Sequence, residues 1–279
     1  MPELPEVEIA RQQLERWTRG RVVTEVALPE PTTLRRHRST RTADAVENPE
    51  RRWAEMRGAT SLALERQGKR LGWRFDGAWA LELHLGMTGR WVRRGALESR
   101  PRFARLGLRF GEDWVWLSDA RRFGCVVMHP DGRLSAALGE DLGPDAWTEG
   151  LDVADACAVW HGRRAIVARL QEQERLAGVG NIQAQEALYR AEVHPLRPAS
   201  SLSGEERARV SAGLQATLAH TLAMTMAEEV AYLSDGGDVD NPFLVYKRGG
   251  LPCHRCGTPL VTERISSRTT TWCDSCVST

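Results

Sequence analysis

The first apolar stripe along the chain is helical. Leu4, Val7, Ala10, Leu14 and Trp17 recur every three or four residues, which places them on one face of a helix over residues 4–17. Pro5 suits the first turn, and Glu6 and Glu8 complement the positive end of the helix dipole. The period then changes to two. In residues 78–85, Trp79, Leu81, Leu83 and Leu85 alternate with Glu82 and His84, the pattern of a half-buried strand. Residues 22–28, 61–65, 106–110, 114–117 and 124–128 are further strand candidates, whereas 29–52 is rich in Arg and Pro and reads as a loop. A run of strands opened by one helix predicts a β-sandwich in a chain of α+β class.

An acidic stretch containing Gly and Pro, 131–152, reads as a linker, and beyond it the pattern turns helical. Residues 154–160, 164–172 and 182–191 predict short helices. Ser203 with Glu206 forms a capping box that opens a long helix running to about residue 233. A Gly/Asp-rich loop, 234–241, leads to a cysteine-rich end. The expected division is a β-sandwich domain over 1–130, a linker over 131–152, a helical domain over 153–240 and a cysteine module over 241–279.

Composition changes this picture in two places. The chain is ordinary globular protein, 42% hydrophobic and 27% charged, without a run of eighteen apolar residues or an apolar leader. That predicts no membrane association and a place in the cytoplasm or nucleoid. The net charge of +1 hides an uneven distribution: residues 51–125 hold fifteen Arg and one Lys against eight acidic residues, while 126–160 hold one Arg against seven. A basic face of that kind suits nucleic acid. Of 38 basic residues only Lys69 and Lys247 are lysines, so a retained lysine is more informative here than another arginine.

Four of the six cysteines form two pairs, Cys253-x2-Cys256 and Cys273-x2-Cys276, sixteen residues apart. Paired thiolates at this spacing supply the four soft ligands of tetrahedral zinc, and a closed four-sulfur set makes the metal structural rather than catalytic. The segment between has room for a β-hairpin and no core of its own, so metal must supply most of its folding energy. Cys125 and Cys157 stand alone and read as buried apolar residues.

Three other stretches carry candidate chemistry. Between two predicted helices, Gly178-Val179-Gly180-Asn181 offers a tight turn, with Asn181 placed to cap the second helix and expose amides to an anion. His84-Leu85-Gly86-Met87-Thr88-Gly89-Arg90 and Asp119-Ala120-Arg121-Arg122-Phe123-Gly124 set Met87 and Phe123 beside arginines in loops, as an apolar wedge entering a duplex requires. At the N-terminus, removal of Met1 would expose Pro2 as a secondary amine. Its pKa of roughly 8 leaves a useful neutral fraction able to attack a sugar carbon, with Glu3 and Glu6 beside it for proton transfer. Taken alone, each of these stretches also has a plain structural reading as a cap, a surface loop or a helix lead-in.

Together, MPELPEVE at the start, HLGMTGR, DARRFG, GVGN and the four-cysteine module resemble, in order, the formamidopyrimidine-DNA glycosylase and endonuclease VIII family over nearly the whole chain. The resemblance implies a β-sandwich, a helix–two-turn–helix domain and a zinc-finger hairpin that bind double-stranded damaged DNA as a monomer, in a cleft between halves. It implies excision of oxidised or ring-opened bases followed by strand cleavage. In that reading Pro2 is the nucleophile, Glu3 the acid/base, Glu6 its support, and Lys69 a lysine on a turn reaching the lesion. Met87, Arg121 and Phe123 fill the void of the flipped base, with His84 and Arg122 in the same loops, and Asn181 and Arg268 hold flanking phosphates. A non-catalytic damage-binding protein of the same fold is the alternative, and a zinc-finger transcription factor would leave the N-terminal motif unexplained. The chain departs from the pattern at Val167, where Lys is usual, at Gln183, where Tyr is usual, and in a short 234–243 loop. Val167 and the short loop predict that ring-opened purines and oxidised pyrimidines are better substrates than 8-oxoguanine.

Overall fold

The structure is a computed structural model that describes residues 2–28, 34–35, 49–77, 79–129, 134–148, 152–155, 157–224 and 241–277. They fall into two compact units, one ending at Glu140 and the other beginning at Asp141.

The first unit opens with α1 (Leu4–Thr18), whose stripe Val7, Ala10, Leu14 and Trp17 enters the main apolar cluster. Then come β1 (Glu25–Ala27), β2 (Leu34–Arg35), α2 (Pro49–Ala54), β3 (Ser61–Gln67), β4 (Arg70–Phe75), β5 (Ala80–His84), β6 (Arg90–Gly95), β7 (Ala104–Phe110), β8 (Asp113–Ser118) and β9 (Cys125–His129). They form a four-stranded sheet, β1-β7-β8-β6, and a five-stranded sheet, β2-β9-β5-β4-β3, antiparallel except for the β2–β9 pair. The two sheets and α1 close on one core. At its centre Trp73 of the second sheet lies 5.6 Å from Trp91 and 5.9 Å from Phe110 of the first. The Trp73 indole N–H donates to Ser61 Oγ, 2.8 Å away, so its polar atom is satisfied where the ring is buried.

Three expectations need correction. β4 and β6 are not among the predicted strands, although Leu71, Trp73 and Phe75 of β4 all turn into the core. The 29–52 stretch is not all loop, since β2 and the start of α2 fall within it. Inside the expected linker, α3 (Leu134–Gly139) packs Leu134 and Leu138 against Ala80 of the five-stranded sheet. An acidic stretch can still supply two leucines to cover a sheet face.

The second unit contains α4 (Ile166–Arg169), α5 (Asn181–Ala191) and α6 (Gly204–Met224), then the hairpin β10 (Val261–Ile265) and β11 (Arg268–Trp272). The predicted helix at 154–160 is two short 3-10 turns, and that at 164–172 shrinks to α4. There the N–H groups of Ile166 and Val167 bond to Arg197 and Pro195, so tertiary partners replace helical ones. The capping box forms: Ser203 N–H reaches Glu206 Oε2 at 2.8 Å and Glu206 N–H reaches Ser203 Oγ at 3.2 Å. The predicted continuation of α6 beyond residue 224, the loop at 234–240 and the Cys157 side chain lie outside the described residues. Among the described residues no helix is long and apolar enough to cross a membrane.

Candidate active site and nucleic-acid contacts

The N-terminal acids are locked by the helix they start. Glu3 is the N-cap of α1, and its N–H donates to Glu6 Oε2 at 2.9 Å in a reciprocal capping box. Pro2 and Glu3 are both buried, Glu3 to 2% exposure. Burial, and then the neighbouring Glu3 carboxylate, push the Glu6 pKa up to about 7. A carboxyl that holds its proton near neutrality therefore sits within one helical turn of Pro2.

Lys69 occupies the two-residue turn between β3 and β4, where Gly68 takes a positive φ of 56°. Arg66, which carries no role in the sequence pattern, and Glu8, read there only as a partner of the helix dipole, set the place of this turn. Arg66 Nε donates to Glu8 Oε2 on α1 at 3.0 Å, and Arg66 Nη1 donates to the Gly68 carbonyl at 3.1 Å. Burial works against the Glu8 charge, but hydrogen bonds from Arg11 and Gln12 outweigh it and hold its carboxyl below the ordinary range. The first turns of α1 and the Lys69 hairpin are thus joined by a nearly buried ion pair. The signal for it was in MPELPEVE, but its partner lies 58 residues away.

The loops that carry Met87 and Phe123 form one structure. Asp119 has no exposure and gathers three donors: Thr88 Oγ1 at 2.5 Å, Arg121 N–H at 3.1 Å and Gly124 N–H at 2.7 Å. Arg105 Nε donates to the Asp119 carbonyl at 2.8 Å. Gly86 is required by close approach, because a Cβ there would lie 2.3 Å from the Phe123 carbonyl carbon. His84 Nδ1 accepts the Gly86 N–H at 3.0 Å and so shapes its own loop. Against this support Phe123 is 52% exposed, with the Arg121 guanidinium 5.3 Å above its ring. Met87 is half-buried, and Arg122 is exposed with a positive φ of 60°.

In the second unit Asn181 does not cap α5. The N-cap is Gly180, and Asn181 Nδ2 instead donates to the Thr269 carbonyl of β11 at 2.9 Å. Gln185 adds two bonds to the same strand, donating to the Thr269 carbonyl at 3.1 Å and accepting the Thr271 N–H at 2.7 Å. Glu186, 1% exposed, accepts the N–H groups of Leu244, Val245 and Tyr246 at 2.8–2.9 Å. α5 therefore holds the cysteine module through side chains aimed at its backbone. Arg268 Nη1 donates to Gln171 Oε1 at 2.7 Å. Gln183 is buried and donates to Thr221, and Val167 is 1% exposed.

The four sulfurs of Cys253, Cys256, Cys273 and Cys276 all lie within 4.8 Å of one another, with separations of 3.4, 3.5 and 3.9 Å among them. Zinc–sulfur bonds of about 2.3 Å in a tetrahedron put sulfurs about 3.8 Å apart, so the four fit one zinc ion. The Tyr189 hydroxyl lies 3.2 Å from Cys253 Sγ, and burial followed by that sulfur pushes its pKa up, which keeps it a donor to the thiolate.

Family models divide the chain in the same order. The formamidopyrimidine-DNA glycosylase N-terminal domain matches residues 1–126, the H2TH domain of that glycosylase 142–230, and a zinc finger found in FPG and IleRS 250–279. A sandwich, a helical module and a zinc finger of these kinds define a DNA glycosylase. Formamidopyrimidine-DNA glycosylases of Thermus thermophilus and Desulfitobacterium hafniense are 34% and 32% identical to this chain, covering 99% of it and 98% and 99% of their own lengths. The crystal structure of MutM (Fpg) from Thermus thermophilus aligns with a TM-score of 0.78 at 32% identity, over 99% of this chain and 98% of that one. Lactococcus lactis Fpg in complex with abasic-site DNA has the same fold, with a TM-score of 0.84 at 24% identity over all of both chains. This chain belongs to the formamidopyrimidine-DNA glycosylase family.

Proposed function

We propose that this protein is a base-excision-repair glycosylase that releases oxidised or ring-opened bases from duplex DNA and then cleaves the abasic strand. The observation that carries this reading is the buried Pro2 beside the Glu3–Glu6 capping box, in a chain with family relatives along its whole length. The neutral Pro2 amine attacks the sugar C1′, and the base leaves with its glycosidic electron pair and a proton. Ring opening at O4′ gives an iminium between Pro2 and C1′. Loss of a C2′ proton then expels the 3′ phosphate. Glu3 is the acid/base for these transfers, and Glu6, with its pKa of about 7, supports it. Lys69 reaches the DNA beside the lesion from its hairpin turn.

Residues 1–130 carry the chemistry in this reading, and 153–240 with the finger at 241–279 grip the strand on either side. Asn181 and Arg268 take the flanking phosphates. The protein acts as a monomer in the cytoplasm or nucleoid, without membrane contact. One structural zinc holds the finger.

His84, Met87, Arg121, Arg122 and Phe123 enter the duplex, and the wedge predicts a split between substrates. Extruding a stacked base costs a few kcal/mol, and an abasic site has no base to unstack. Met87→Ala and Phe123→Ala should each slow excision about tenfold, as a loss of about 1.4 kcal/mol requires, with a smaller effect on cleavage at preformed abasic sites. Single-turnover rates on both substrates decide this, and equal losses would point to general DNA affinity.

Ring-opened purines and oxidised pyrimidines should be removed faster than 8-oxoguanine opposite cytosine. The buried Val167 offers no charged contact to a base, and the short 234–243 sequence offers few amides to read one. Each such contact contributes about 1–3 kcal/mol of discrimination, whereas poorly stacked lesions are selected partly by easier extrusion. A panel of single-lesion duplexes tested for base release checks both activity and preference. No release from any lesion would leave a damage-binding protein, and 8-oxoguanine removed at the highest rate would overturn the reading of the loop.

A further inference from the structure

We infer that Gln171 is a positioning residue for Arg268: it orients the guanidinium for a DNA phosphate without neutralising it. The inference rests on the assignment of Arg268 as a phosphate contact. Arg268 is an exposed side chain just after Ser266 and Ser267, which take positive φ values of 49° and 67° at the hairpin tip. A free arginine there would sample many rotamers, and ordering it on DNA would cost side-chain entropy. Gln171 removes part of that freedom. Its Oε1 accepts Arg268 Nη1 at 2.7 Å, across 97 residues of sequence. Its Nε2 donates to the Val167 carbonyl at 2.8 Å, which fixes the amide with its oxygen toward the arginine. The neighbouring backbone is pinned as well, by the Asn181 and Gln185 bonds to Thr269.

The chemical type of the partner is the telling feature. Arg66, Arg109, Arg169 and Arg197 each pair with a glutamate carboxylate. Arg268 makes no ion pair among the described residues, and its acceptor is a neutral amide. An amide holds a guanidinium in place and leaves its full charge and its other N–H groups for an incoming anion. A carboxylate at the same position would hold it more tightly and compete with phosphate. A residue that only braced the hairpin would be as good, or better, as Glu.

Three variants test this: Gln171→Leu, Gln171→Glu and Arg268→Ala, each first confirmed to keep its zinc and its Tm. Binding to a duplex carrying a stable abasic-site analogue is measured across a salt series, alongside single-turnover excision at saturating enzyme. Gln171→Leu is expected to raise Kd about three- to tenfold and leave the saturated rate unchanged. Gln171→Glu is expected to raise Kd further and to flatten the salt dependence by about one phosphate contact, as Arg268→Ala does. Wild-type affinity in Gln171→Glu, or tighter binding than Gln171→Leu, would overturn the inference and leave Gln171 a brace for the hairpin. If Arg268→Ala weakens binding while both Gln171 variants match wild type, the inference alone falls. If Arg268→Ala itself changes neither affinity nor salt slope, the assignment of Arg268 falls and the inference with it.

Discussion

Borohydride should trap a covalent complex between this protein and abasic-site DNA, and a retained N-terminal extension should abolish it. An iminium between Pro2 and C1′ is reducible to a stable amine, whereas an extension turns the Pro2 nitrogen into an amide with no nucleophilic lone pair. Pro2→Gly leaves a primary amine without the ring and should cut trapping sharply, by roughly a hundredfold if about 2.7 kcal/mol of barrier depends on the secondary amine. Glu6 adds a pH signature. Glu6 is protonated below its pKa of about 7 and charged above it. If its proton assists departure of the base, excision falls as pH rises through that value, and Glu6→Gln, which has no carboxyl to titrate, removes that limb from the pH–rate profile at a lower plateau. Undiminished trapping by a blocked terminus would move the nucleophile elsewhere, with Lys69 the next amine to test.

The second large effect is expected from the metal. The protein should hold one zinc per chain by elemental analysis, and Cys273→Ser should lose it. Around the finger the apolar cluster is small, with Tyr189, Val245, Cys253, Leu260 and Cys273 buried in it. So small a core cannot fold a hairpin by itself, whereas zinc in finger peptides contributes about 10–16 kcal/mol. Without metal the bonds from Asn181, Gln185 and Glu186 lose an ordered backbone to hold, and affinity for damaged duplex should fall by about a hundredfold or more, two phosphate-side contacts at about 1.5 kcal/mol each. The sandwich around Trp73, Trp91 and Phe110 has its own core and should keep its near-ultraviolet spectrum. Full DNA binding by the metal-free variant would show that the finger takes no part in the grip.

What the sequence determined by itself was whatever rests on local period or on covalent spacing. The stripe of α1 follows from a 3.6-residue repeat, and Leu81, Leu83 and Leu85 reach the core because a strand alternates its faces. The four cysteines read as one zinc site because a Cys-x2-Cys knuckle brings both of its sulfurs together without help from the rest of the chain. The order of motifs then named the family. Only the tertiary structure decided how these parts are held. Glu8 finds Arg66, Asp119 finds Thr88, Glu186 finds the backbone of 244–246 and Gln171 finds Arg268, over separations of 58, 31, 58–60 and 97 residues. No period marks such pairs, because a hydrogen bond between distant residues depends on which surfaces the fold brings together. Asn181 shows the difference at one residue. Its place after two glycines reads as a helix cap, yet its amide bonds to Thr269, 88 residues away, because β11 packs against α5 and supplies a carbonyl there.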